Sequence, residues 1–191
     1  EAAEEKASLI VETRIAGADE GMAGKIGVEI SVYAPGGTLC ASGRAEACGQ
    51  VTCAKQGELA FARRVDISRP ALWSCESPAQ YRVETVVRME GEKQDEVSIL
   101  TGIRSVAFDC DQGFLINGKR EKLNGVCVHH DGGSMGAAVP AQIWERRLEK
   151  LKNMGVNAIR MSHNPPDPAL LDLCDRMGFY VMDEAFDEWR I

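Results

Sequence analysis

The sequence predicts a chain of two halves, all-β up to about residue 105 and alternating β and α beyond it. Before residue 105 the apolar side chains mostly recur at every second position, and turns rich in Gly and Pro separate the runs. After it, apolar residues recur at three- and four-residue spacing between short apolar runs, the pattern of helices alternating with strands. No repeat or low-complexity stretch interrupts the first half.

In the first half, residues 8–15 read as a strand. Ile26, Val28, Ile30 and Val32 alternate with Gly27, Glu29 and Ser31, a half-buried strand that ends at the turn Pro35-Gly36-Gly37. Residues 39–43 and 59–65 follow as strands. Tyr81, Val83, Thr85 and Val87 then alternate with Arg82, Glu84 and Arg88, and residues 96–99 close the series. Short strands with turns between them over about a hundred residues predict an antiparallel β-sandwich of immunoglobulin type.

In the second half, Phe114-Leu115-Ile116 runs into Asn117-Gly118, a type I′ hairpin signal, and residues 123–128 read as a buried strand. Pro140 suits the first turn of a helix whose Trp144, Leu148 and Leu151 recur at i, i+4 and i+7, with Gly155 placed to end it. Residues 156–161 form the next strand. Asp167-Pro168 is an N-cap and N1 pair, Leu170, Leu171, Cys174 and Met177 supply an apolar face, and Gly178 stops this second helix. Residues 179–182 form the third strand. The order β-α-β-α-β calls for a parallel sheet with right-handed crossovers.

Composition excludes several functions. The chain has 191 residues, 45% of them hydrophobic, with 22 Lys and Arg against 29 Asp and Glu. The net charge of −7 argues against a nucleic-acid or anionic-membrane binder, and the apolar share is enough for a packed core. No basic-then-apolar leader opens the sequence, and no apolar run approaches the ~20 residues that cross a bilayer. The compartment is left open. Seven cysteines, an odd number without a Cys-x-x-Cys pair, suggest neither a disulfide framework nor a zinc knuckle.

The chemistry collects at the strand ends of the second half. All three histidines are there: His129 and His130, with Asp131, follow the first strand. Arg160, Ser162, His163 and Asn164 end the second, and Asp183 and Glu184 end the third. Carboxyl ends of parallel strands face the ligand in α/β proteins. A bland reading stands beside this one: Asp183 and Glu184 as helix caps, Asp187, Glu188 and Arg190 as a solvated face, and Arg160 paired with Glu184 or Asp131. Metal ligation is disfavoured, because no pair has His-x-x-x-His spacing and adjacent histidines point to opposite strand faces. Imidazole, guanidinium and carboxylate together suit vicinal sugar hydroxyls.

These residues resemble a known family, the glycoside hydrolases of family 2, which include β-galactosidases and β-glucuronidases. The run Asn157-Ala158-Ile159-Arg160-Met161-Ser162-His163-Asn164-Pro165, continuing through Leu170-Leu171, Asp175 and Gly178 to Phe179-Tyr180-Val181-Met182, resembles the family's N-A-x-R-x-S-H-x-P signature. Asn164 stands where Tyr is commonest. Gly102-Ile103-Arg104, Gly113–Lys119 and Leu123–His129 resemble its entry into a (β/α)₈ barrel. Leu72-Trp73-Ser74, and Pro78 ahead of Tyr81, resemble the last turns of its sandwich domain.

The resemblance implies residues 1–105 as an immunoglobulin-like sandwich and residues 106–191 as the first part of a TIM-barrel glycosidase domain. It implies a retaining β-glycosidase, β-galactosidase-like first, with a β-glucuronidase or a non-catalytic carbohydrate-binding module as alternatives. By similarity His129, Arg160, His163, Asn164, Asp183 and Glu184 are substrate-binding, with a carbohydrate as the partner and neither nucleic acid nor membrane. No cofactor is implied: the Glu-x-His magnesium pair of some β-galactosidases reads Glu188-Trp189-Arg190 here, so that site is in doubt. In the family both catalytic glutamates follow the third barrel strand. The 86 residues from 106 to 191 are about a third of the roughly 250 of a full barrel. The expectation is a fragment without activity of its own, whose open strand edges favour self-association.

Overall fold

The computed structural model describes residues 3–18, 20–22, 24–47 and 58–186. The chain forms two compact units. One comprises Glu1–Ala71 with Gln80–Ile103, the other Leu72–Ala79 with Arg104–Ile191.

The first unit is built from β1 (Lys6–Ala16), β2 (Ile26–Tyr33), β3 (Leu39–Ala47), β4 (Glu58–Ser68), β5 (Gln80–Met89) and β6 (Glu92–Gly102). They pair in the order β1-β4-β3-β2-β5-β6, every pair antiparallel. Strand β3 pairs with β2 from Leu39 to Ala45 and with β4 at Glu46 and Ala47, so it serves both layers of the sandwich. The period-two pattern sets the core: Val28, Ile30 and Val32 from β2, Phe61, Val65 and Ile67 from β4, and Tyr81 and Val83 from β5 are buried. Burying each such side chain stabilises by about 1.5–3 kcal/mol. Edge strand β6 is exposed along nearly its whole length, Val97, Ile99 and Leu100 included.

The second unit opens with an antiparallel hairpin, β7 (Val106–Asp109) on β8 (Gly113–Ile116), which then turns into β9 (Lys119–Arg120). Asn117 (φ 52°) and Gly118 (φ 74°) both take the left-handed conformation that a type I′ turn demands. Strand β7 is an addition to the sequence reading. Its four residues are all exposed, too short and too open for an alternating pattern to show.

A parallel sheet follows: β10 (Gly125–His129), β11 (Ala158–Ser162) and β12 (Tyr180–Met182), in that order, with α1 (Ala141–Asn153) and α2 (Pro168–Met177) between them. Pro140 is the N-cap of α1 (φ −60°, ψ 147°), one residue ahead of the first turn. Asp167 caps α2 by accepting from the Ala169 N–H at 2.9 Å, and Gly178 ends that helix at φ 77°. Trp144 and Leu148 of α1 and Leu170, Leu173 and Cys174 of α2 pack with Ile159, Met161 and Phe179, and with the half-buried Val126, Val128 and Val181. Alternation then puts Gly125, Cys127, His129, Arg160, Ser162, Tyr180 and Met182 on the other face of the sheet.

The segment Leu72–Ala79 lies in this second unit. Trp73 is buried; its indole N–H donates to the Asp175 carbonyl at 2.8 Å and its ring meets Tyr180 edge-on at 5.7 Å. The Arg104 guanidinium lies over the indole, 4.7 Å from its centre. Lys152 Nζ donates to the Cys75 carbonyl at 2.6 Å and to the Gly178 carbonyl at 2.7 Å. Asn157 locks β10 to β11: its Oδ1 accepts from the Asn124 N–H and its Nδ2 donates to the Lys122 carbonyl and Glu121 Oε1. Among the described residues, no helix is long and apolar enough to cross a membrane.

Candidate active site

The site residues are placed by strand parity. His129 is the last residue of β10 and pairs in register with Ser162, the last of β11. Arg160 pairs with Cys127 on one side and Met182 on the other. Each strand therefore delivers its chemistry at the carboxyl end and on the face away from the helices. Glu184, two residues past Met182, reaches back over that face.

Glu184 is the junction. Its Oε1 accepts from Arg160 Nε at 2.5 Å, and its Oε2 lies 3.1 Å from His163 Nδ1. The Glu184 side chain is 21% exposed against 44% for Arg160 and 39% for His163, so the pair is only partly open to water. The hydrogen bond to Glu184 raises the guanidinium's pKa above its ordinary value, and Cys127 Sγ, 4.0 Å from Nη1, adds to the shift. The imidazoles of His129 and His163 meet edge-on, 5.5 Å between centres and 73° between planes. Of the two partners the sequence offered Arg160, the structure selects Glu184.

The other sequence candidates lie at the same rim but outside this cluster. Asp131 holds a turn by accepting from the Gly133 N–H at 2.7 Å. Asn164 and Asp183 are exposed beside their strand ends, and His130 is half-buried. Asp183, Met182, Arg160 and Cys127 border a cavity of about 800 Å³ that continues along the sheet face to an aromatic end formed by Trp73, Phe114 and Tyr180. There Phe114 and Tyr180 meet edge-on at 5.1 Å. The Tyr180 hydroxyl is buried, and that burial with the neighbouring Cys75 thiol pushes its pKa well up. Asp187, Glu188 and Arg190 lie outside the described residues.

Three more residues belong to this face: Cys127 beside Arg160 and Met182 at the cavity, which escaped the sequence reading as site residues, and Ser162, named there at its strand end, whose buried Oγ has no partner among the described residues. Counting by twos from His129, Arg160 and Glu184 finds all three. As for metals, the described residues bring together one trio of ligand-type side chains, Asp109, Cys110 and Asp111, exposed in the β7–β8 turn. Asp109 Oδ1 there already accepts from the Asp111 and Gln112 N–H groups, which lower its pKa. The rim histidines and acids do not form such a group.

Residues 109–188 match the family model for the TIM barrel domain of glycosyl hydrolases family 2, and residues 2–104 match the model named for glycosyl hydrolases family 2. The chain belongs to glycosyl hydrolase family 2. Within that family, the beta-galactosidase BoGH2A of Bacteroides ovatus is 50% identical over 133 residues, 70% of this chain and 16% of that protein. A putative beta-glucuronidase of Formosa agariphila is 42% identical over 146 residues, 74% of this chain and 14% of its own. Among solved structures, a family 2 member from Bacteroides cellulosilyticus superposes over 100% of this chain and 25% of its own at TM-score 0.88 and 37% identity. Bacteroides uniformis beta-glucuronidase does so over 97% of this chain and 22% of its own at TM-score 0.82 and 32% identity. The chain thus spans about a sixth of the length of the curated relatives it matches. Its architecture is the family's sandwich followed by the first β-α-β-α-β part of the barrel.

Proposed function

We propose that the chain is part of a retaining β-glycosidase that hydrolyses terminal β-linked sugars, with β-galactosides as substrate. The observation that carries this reading is the rim cluster, in which Glu184 ties Arg160 to His163 and His129 stands edge-on to His163. Such a cluster offers imidazole nitrogens and guanidinium N–H groups to sugar hydroxyls from adjacent strand ends. In this reading His129, His163 and Asn164 hold the sugar, Asp183 lines the same pocket, and Arg160 with Glu184 orders the charges beneath it.

Retaining hydrolysis needs an acid/base and a nucleophilic carboxylate about 5–5.5 Å apart, flanking the glycosidic bond. Of the acids at this rim, Asp131 holds a turn and both oxygens of Glu184 are taken, which leaves Asp183 without a second free carboxylate among the described residues to pair with. We therefore assign both catalytic glutamates to sequence outside these 191 residues. Identity of 50% to a protein named beta-galactosidase favours galactosides. The likeness to proteins named beta-glucuronidase supports the second reading, a glucuronidase of the same fold.

Two assays test this. The purified 191-residue chain is expected to turn over neither nitrophenyl β-galactoside nor nitrophenyl β-glucuronide; appreciable turnover overturns the assignment of the glutamates. In the longer protein, His163→Ala is expected to cut kcat/KM on the preferred glycoside by about 10²–10³-fold, the scale of one lost transition-state hydrogen bond. Unchanged kinetics would remove His163 from the site.

A further inference from the structure

The geometry points to Glu184 as a positioning residue that fixes which nitrogen of His163 carries the proton, so that Nε2 is left as a hydrogen-bond acceptor. A carboxylate only accepts. With Oε2 of Glu184 3.1 Å from Nδ1, that nitrogen carries the proton in the neutral ring, and Nε2 is then bare. An imidazole without such a partner prefers the opposite arrangement in water, with the proton on Nε2. The second oxygen of Glu184 is occupied as well, by Arg160 Nε at 2.5 Å. A carboxylate held at both ends, with its side chain 21% exposed, cannot swing away to release the imidazole without leaving the guanidinium unpaired.

The arrangement ties two strand ends together. Arg160 lies within β11 and His163 just past it, whereas Glu184 follows β12. The pin thus sets the His163 ring relative to both strands, and it leaves His129, edge-on to that ring, a fixed wall to stand against. On the carbohydrate reading proposed above, a bare Nε2 selects a sugar hydroxyl that donates its proton to the ring. Carboxylates that accept from the far N–H of a metal-bound histidine set imidazole tautomers in the same way.

The test needs no sugar. Nitrogen-15 histidine labelling of the 191-residue chain gives three imidazoles, and His163→Asn assigns the one in question. At mildly alkaline pH, the wild-type Nδ1 of His163 is expected at the protonated, pyrrole-like shift and Nε2 at the unprotonated, pyridine-like shift. In Glu184→Ala the two are expected to exchange places, while the His129 and His130 signals persist as the check on folding. A wild-type His163 protonated on Nε2 overturns the proposal, whether or not the variant folds. So does a folded Glu184→Ala chain whose His163 keeps the wild-type pattern. Either outcome leaves the glycosidase reading standing, and inactivity of the longer protein on glycosides would leave the tautomer result untouched.

Discussion

Gly155 and Gly178 follow the two helices with nearly the same backbone twist, and an alanine at each separates two costs. Gly155 has φ +82°, and a Cβ added to it meets nothing within 4 Å. Gly178 has φ +77°, but its Cβ comes to 2.3 Å from the Cys75 carbonyl oxygen and 2.9 Å from the carbonyl carbon. Gly155→Ala therefore incurs the left-handed penalty alone, about 1 kcal/mol. Gly178→Ala incurs the same penalty and must also push the 72–79 segment away. That displacement breaks the charge-assisted bond from Lys152 to the Cys75 carbonyl, for a total of roughly 3–4 kcal/mol. Urea unfolding followed by tryptophan fluorescence reads the difference cleanly. The described tryptophans, Trp73 and Trp144, both belong to the second unit. Losses for the two variants that agree within about 0.5 kcal/mol, the size of an ordinary surface effect, would refute the claim that the Cys75 backbone packs against Gly178.

Further outcomes are expected from the same observations. Leu148→Ala empties a fully buried position between α1 and the sheet and should cost about 2–5 kcal/mol by the same fluorescence assay. Asp167→Ala removes the α2 cap and should cost about 1 kcal/mol; a neutral result would deny the cap any role. Asp66 of β4 is held well below the usual carboxylate range by hydrogen bonds from Lys6, Ser8 and Arg64. Its contribution is therefore complete above the unfolded pKa of about 3.9 and is lost as pH falls toward the lower folded value. Asp66→Asn should unfold more easily than wild type at neutral pH, with the gap closing below about pH 4 and shrinking in high salt. Self-association through the sides of β6, β10 and β12 that pair with no strand among the described residues should raise the mass seen by light scattering as concentration rises; a monomer throughout argues against it.

Much of this architecture was legible because its signals are local. Asn117-Gly118 specifies its own turn, Asp167-Pro168 and Gly178 bracket α2, and the alternation from Ile26 to Val32 needs one buried face. Each is a statement about backbone angles or parity within a few residues. The rest depends on distance along the chain. Nothing near Trp73 or Cys75 reveals partners at Asp175 and Asn157, 102 and 82 residues on. The choice of Glu184 over Asp131 as partner of Arg160 follows from sheet register, which sets Met182 beside Arg160 and so brings the residue two further on to the same face. Pro140 shows the usual limit at a helix end: its fixed φ suits both the cap and the first turn, and its extended ψ makes it the cap.

The placement of Leu72–Ala79 bears on how such proteins can be recombined. Along the sequence these eight residues sit between β4 and β5, well inside the stretch matched by one family model, yet they pack with residues matched by the other. A chimaera crossed over near residue 105 would join Trp73, Cys75 and their carbonyls from one parent to Asp175, Lys152 and Gly178 from another. Sandwiches are thus exchangeable between relatives only when that short insert travels with the barrel that it fills, or when both parents carry the same interlocking residues.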